Sequence, residues 1–122
     1  MKKTLLTLTA ALSLSACASN PYALDNSVYH YQLNGTPISI SFDDKEHRFS
    51  GKVVNNYFGT YEQSDELITM HPLGATMMMG PETAMQAEQL WIQALTKVKT
   101  IQKTENGLIL TLNNNQKLML SK

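Results

Sequence analysis

Gly80-Pro81-Glu82-Thr83-Ala84-Met85-Gln86-Ala87-Glu88-Gln89-Leu90-Trp91-Ile92-Gln93-Ala94-Leu95-Thr96-Lys97-Val98 is the one stretch with sustained helical periodicity. Ala84, Ala87, Trp91, Ala94, Leu95 and Val98 recur at spacings of three and four, which is one face of a 3.6-residue helix. Gln86, Gln89, Gln93 and Lys97 fall largely on the opposite face. Pro81 suits a first helical position, because its fixed φ is already helical and its missing N–H would find no partner there. Glu82 complements the positive end of the helix dipole, and Lys97 and Lys99 complement the negative end. Burying Trp91 and Leu95 against a sheet stabilises by roughly 2–3 kcal/mol each.

Glu88 lies on or beside that apolar stripe. An unpaired buried carboxylate is costly, so it needs either water or hydrogen-bond donors. A rim position reaching solvent and a buried acceptor for loop N–H groups or a hydroxyl both satisfy this, with Thr76 as the first candidate donor. A catalytic carboxylate is the weakest reading, because no second acid or base sits at a matching spacing.

On either side of the helix the chain reads as strand and turn. Val28–Leu33 is a strand, with Tyr29 and Tyr31 on one face, and Asn34-Gly35 is a hairpin turn. Residues 37–42 alternate, with Ile38, Ile40 and Phe42 inward. Asp43-Asp44-Lys45-Glu46 is a charged turn without the spacing of a calcium loop. Phe49–Val54 is a strand in which Gly51 marks a bulge or a close backbone approach. Residues 55–61 read as a turn rich in Asn and Gly, and Leu67–Met70 as a short strand ended by His71-Pro72. After the helix, residues 99–104, 108–112 and 116–120 are strands, separated by Asn106-Gly107 and Asn113-Asn114-Asn115. Antiparallel hairpins around a single helix make an α+β domain.

The N-terminus carries an address. Met1-Lys2-Lys3 followed by the apolar run Leu5–Leu14 is a secretory signal, too short to span a bilayer. It ends in Leu14-Ser15-Ala16-Cys17, which resembles the bacterial lipobox. That resemblance implies cleavage before Cys17 and acylation of its sulfur and new amino group, and multiple acyl chains hold a protein firmly. Ala18 stands where an Asp would direct retention at the inner membrane, so outer-membrane anchoring in a Gram-negative host is expected. The organisation is then a signal over residues 1–16, a lipidated tether over 17–27 reaching roughly 35 Å when extended, and a domain over 28–122. With Cys17 the sole cysteine, no intramolecular disulfide forms.

Ten Lys and Arg balance ten Asp and Glu, so there is no electrostatic footprint for nucleic acid. Loss of Lys2 and Lys3 with the signal leaves a mildly acidic domain.

The segment Gly51-Lys52-Val53-Val54-Asn55-Asn56-Tyr57-Phe58-Gly59-Thr60-Tyr61 resembles a family pattern of Gly, then Cys-Asn, then an aromatic residue and Gly before a strand. Thr76-Met77-Met78-Met79-Gly80-Pro81 is similar to that family's Thr-x-Met-x-Cys-Pro, and Glu88, Trp91, Leu95 and Val98 fit its helix. The family is the META domain, whose bacterial members include HslJ-like heat-inducible lipoproteins, and the resemblance runs from Tyr29 to Leu120. It implies a strongly curved antiparallel sheet, close to an open barrel, packed on the helix. Asn55, Thr76 and Glu88, which fall in these segments, are expected to be structural polar residues. Val54 and Gly80 stand where many members have cysteines, so a thiol or disulfide role does not transfer.

Met77, Met78 and Met79 admit three readings. They fill an irregular junction between loop and helix, they line an apolar ligand groove, or their thioethers bind Cu(I). The first is the expectation. His30, His47 and His71 show no ligand spacing, so neither metal nor cofactor is expected. No nucleophile motif or phosphate-binding loop occurs, so no enzymatic activity is expected. The expected role is a non-catalytic one at the cell envelope, in stress or drug tolerance. The alternative is a module binding an apolar ligand or an envelope protein peptide, by fold-level analogy with pilot lipoproteins of secretion systems.

Overall fold

The computed structural model describes residues 20–122. The signal, Cys17 and the first residues of the expected tether lie outside them. The described chain forms β1 (Val28–Leu33), β2 (Thr36–Asp43), β3 (Arg48–Lys52), β4 (Asn56–Ser64), β5 (Leu67–Ala75), α1 (Glu82–Leu95), β6 (Val98–Thr104), β7 (Gly107–Leu112) and β8 (Lys117–Ser121). Every strand pairs antiparallel with its sequence neighbour, and β1 pairs with β8.

The barrel is therefore closed, where the sequence reading gave an open one. The closure is thin. β1 meets β8 through the single register pair His30↔Ser121, and β5 meets β6 through Leu67↔Thr100. Five strands and three strands thus form two well-paired arcs joined at two narrow seams. One pairing at each seam is enough to join the two arcs into a closed ring.

Alternation sets the inward face. Ile38, Ile40 and Phe42 of β2, Tyr57 and Tyr61 of β4, and Leu108, Leu110 and Leu112 of β7 are all buried. The turn Asn34-Gly35 has positive φ at both residues, 51° and 81°, as a two-residue type I′ hairpin requires. Residues 56–61, read as a turn, belong to β4. Tyr57, Gly59 and Tyr61 alternate inward there, and Gly59 is small because the Phe49 ring occupies the space its side chain would take. Gly107 is the first residue of β7 rather than part of a turn, and any Cβ there would strike the Leu120 carbonyl.

Both ends of the barrel are covered. In an up-and-down barrel the end of β5 and the start of β6 lie at one end, so α1 spans that end. It buries Ala87, Trp91 and Leu95. It stops at Leu95, and Val98 is buried as the first residue of β6 rather than as helix. Pro81 is the N-cap residue rather than the first helical one, with its carbonyl accepting from the Met85 N–H at 2.9 Å. Neither Lys97 nor Lys99 lies in the last turn.

The opposite end is covered by residues 20–27, which were expected to be a free tether. Leu24 is buried in the core. The Tyr22 carbonyl accepts from Gln63 Nε2 at 2.8 Å and the Ala23 carbonyl from Lys103 Nζ at 2.7 Å. Asp25 pairs with Lys122 at 3.4 Å and accepts from the Tyr29 hydroxyl at 2.8 Å. This strap ties Gln63 on the five-strand arc to Lys103 and Lys122 on the three-strand arc. The folded unit begins at Leu24, four residues before the boundary read from the strand pattern, because an aliphatic side chain has a hydrophobic end to plug.

Candidate functional site

At the helix end a polar network crosses from α1 to the loops after β3 and β5. Glu88 Oε1 accepts from the backbone N–H groups of Val54 (3.1 Å) and Asn55 (2.7 Å), and Oε2 accepts from Asn55 Nδ2 (2.9 Å). Two successive backbone N–H groups converging on one oxygen form an anion nest, here filled by the protein's own carboxylate. Asn55 is 2% exposed, yet each polar atom of its side chain is engaged. Its Oδ1 accepts from the Thr76 hydroxyl (2.9 Å) and the Met78 N–H, and its Nδ2 also donates to the Met78 carbonyl (3.2 Å). The Thr76 hydroxyl in turn accepts from the Asn56 N–H at 3.1 Å.

Thr76 and Glu88 thus belong to one network without touching each other. Asn55 stands between them, and the first donor proposed for Glu88 was the wrong one. The functional logic is positional. Asn55 holds the Met78 backbone from both sides, and Glu88 holds Asn55, so the loop from Thr76 to Pro81 is fixed to the helix and to the turn after β3.

Beneath the network lies a second relay. The Trp91 indole N–H donates to the Tyr57 hydroxyl at 2.8 Å, which donates to the Ser39 carbonyl at 2.7 Å. Tyr31 stacks on Trp91 with ring centroids 5.6 Å apart and planes 26° apart. Gly51 makes the relay possible, since a Cβ there would overlap both the Ser39 oxygen and the Tyr57 hydroxyl. That is the close approach its position implied, with no register shift at Gly51 itself. Burial pushes the Tyr57 phenol well above its ordinary range, which keeps it a neutral donor.

The methionines depart from expectation. Met77 and Met79 are 95% and 88% exposed and Met78 is 50% exposed, so they do not fill the core at the junction. Surface clefts lie elsewhere. One of about 240 Å³ opens beside α1, lined by Tyr31, Leu33, Leu90, Leu112 and Leu118 with Lys97 at its rim. One of about 460 Å³ lies outside β2–β4, between Asn26, Ser50, Phe58 and Leu73. Met77–Met79 line neither. Among the described residues no group of three His, Cys, Asp or Glu side chains converges as a metal site would. No described helix is long and apolar enough to cross a membrane.

Val54 and Gly80 are neighbours across the network. A Cβ at Gly80 would lie 3.6 Å from the Val54 Cβ and 2.8 Å from its Cγ1. The profile of the META domain matches residues 24–122. The chain belongs to the META domain family. In this META domain the match starts at Leu24, the residue that plugs the strap end. A protein from Burkholderia xenovorans, solved by NMR, is similar in fold, with a TM-score of 0.63 at 22% identity over 85% of this chain and 90% of that one. A second NMR structure gives 0.62 at 20% identity, covering 85% and 95%. A DUF4847 family protein from Bacteroides vulgatus gives 0.53 at 17% identity over 68% of this chain, which spans 56% of that one. At these identities the likeness concerns the fold. No curated protein matches the META chain.

Proposed function

We propose that this META domain is a lipid-anchored, non-catalytic protein of the bacterial envelope, held at the outer membrane through acylated Cys17 and serving in stress or drug tolerance. The observation that carries the reading is the position of the folded boundary. Leu14-Ser15-Ala16-Cys17 lies just ahead of a domain whose first buried residue is Leu24. Seven residues from Cys17 to Leu24 reach at most about 25 Å. The chain enters at the strap end, so the anchored domain would sit close to the headgroups with α1 and the Met77–Met79 loop turned away from them. Both barrel ends are occupied by the protein's own residues, which favours a compact scaffold over a carrier with an internal ligand chamber.

The test is expression of Cys17→Ala beside the wild type with an alkyne-tagged fatty acid. The expected result is labelled wild type in the outer-membrane fraction and an unlabelled, unprocessed variant. An unlabelled wild type that fractionates as a free protein overturns the anchor. The envelope role is tested by deleting the gene and challenging cells with heat and with envelope-active drugs. Survival unchanged under every challenge removes it.

A second reading rests on the cleft of about 240 Å³ beside α1, whose lining joins Tyr31, Trp91 and several leucines to the polar side chains of Gln93, Asn114 and Gln116 and to Lys97. It fits a small apolar ligand with an anionic head. Saturable quenching of Trp91 fluorescence by such a ligand, abolished in Leu90→Glu, supports this reading, and the absence of saturable quenching excludes it.

A further inference from the structure

Met77 and Met79 are the most exposed large apolar side chains among the described residues, at 95% and 88%. Leu73, four residues before Met77, is 65% exposed, and Met78, between Met77 and Met79, is 50% exposed. Exposed thioethers on a frayed segment would be unremarkable. Here the backbone beneath them is held: the Met78 N–H and carbonyl are both bonded to Asn55, the Thr76 N–H donates to the Asn56 carbonyl at 2.9 Å, and Pro81 caps α1. The side chains project from a fixed platform and support nothing in the core. Met70, by contrast, is 3% exposed and packs inside the barrel.

We propose that Met77 and Met79 are a modification site at which hydroperoxides convert the loop from apolar to polar without unfolding the domain. The thioether sulfur attacks one peroxide oxygen. The S–O bond forms as the O–O bond breaks, the proton of the attacked oxygen passes to the departing oxygen, which leaves as water from hydrogen peroxide or as an alcohol from an organic hydroperoxide, and the sulfur is oxidised by two electrons as the peroxide is reduced by two. Each sulfoxide adds a strong acceptor where a hydrophobic side chain stood. Asn55 holds the loop through the Met78 backbone, the Thr76 hydroxyl bonds to Asn55 and Asn56, and Glu88 bonds to Val54 and Asn55, so no bond of the network passes through the altered side chains. The surface changes its chemistry while the scaffold keeps its shape. The proposal does not depend on the lipid anchor.

The experiment is a time course with limiting hydrogen peroxide on the purified full-length mature protein. Oxidation of each methionine is read by peptide mass spectrometry, and surface polarity by retention on a hydrophobic-interaction column. Met77 and Met79 are expected to oxidise about tenfold or more faster than Met70, with Met119, 66% exposed on β8, in between. Retention is expected to fall while the melting temperature holds. In Met77→Leu/Met79→Leu, which leaves the backbone network intact, most of the fall in retention is expected to vanish. Oxidation of Met70 at the same rate, loss of the thermal transition on modification of Met77 and Met79, or an equal fall in retention in the double variant would each overturn the proposal.

Discussion

Glu88 on the helix and Asn55 in the turn after β3 are joined by two hydrogen bonds, one to the Asn55 backbone N–H and one to its side-chain amide. They lie 33 residues apart in sequence. The carboxylate is acceptor-only and meets donors alone. Removing it leaves three N–H bonds unmade in a half-buried site, so Glu88→Ala is expected to lower stability by about 2–3 kcal/mol in urea denaturation. Asn55→Ala is expected to cost at least as much. The double variant should lose less than the sum of the two by about 1 kcal/mol or more. Additive losses would mean that the two residues act independently.

Val54 and Gly80 explain their own pairing. A Cβ at Gly80 beside the Val54 methyls is too close at 2.8 Å, so Gly80→Ala should destabilise by about 1 kcal/mol or more. Val54→Ala should relieve it. The Cβ separation of 3.6 Å suits a disulfide. In a Cys17→Ser background, Val54→Cys/Gly80→Cys is expected to oxidise spontaneously and to gain about 3–4 kcal/mol from the closed loop. Free-thiol titration and melting with and without reductant check both points. Two titratable thiols after air oxidation would refute the geometry.

The relay of Trp91, Tyr57 and Ser39 makes Gly51 intolerant of any side chain. Gly51→Ala should displace the Tyr57 hydroxyl and cost about 2–3 kcal/mol. Tyr57→Phe keeps the ring and strands the indole N–H, at about 1–3 kcal/mol. Denaturant midpoints and the near-ultraviolet signal of Trp91 report each. A Gly51→Ala protein as stable as wild type would show that the strands can part there without loss.

The tyrosines and the strap predict opposite pH edges. Burial first, and the Asp25 hydrogen bond second, raise the Tyr29 phenol to about 12. Burial likewise raises Tyr57, and burial with the Asp44 hydrogen bond raises Tyr61. An acid whose folded value lies above its unfolded one contributes stability fully below the unfolded value, near 10. That stability is lost as pH rises through the folded value. The melting temperature should therefore fall steeply above pH 10. Asp25 moves the other way, to about 2, chiefly because the Tyr29 hydroxyl donates to it. Its contribution is present above about pH 4 and lost as pH falls toward 2. Asp25→Asn should flatten that acid limb, and an unchanged limb would show that the strap does not respond to this carboxylate.

The sequence by itself determined the local pieces. Period-two alternation at Ile38-Ser39-Ile40-Ser41-Phe42, the Asn34-Gly35 turn and the 3.6-residue stripe through Trp91 and Leu95 are short-range signals. Each follows from side-chain direction within one element, and each is present in the folded chain. What the tertiary structure decided was everything that depends on which elements meet. Residues 56–61 look like a turn because Asn56 and Gly59 tolerate one, yet pairing on both sides with β3 and β5 makes them strand. Leu24 reads as linker until a barrel end needs a plug. Closure rests on His30↔Ser121 and Leu67↔Thr100, pairs that no local pattern specifies. Glu88 announced that it needed partners, but only the fold could supply Val54 and Asn55 rather than Thr76, because hydrogen bonds are chosen by distance in space. The methionines misled for the same reason: apolar residues are expected inside, yet a loop held through the Met78 backbone by Asn55 leaves their side chains exposed.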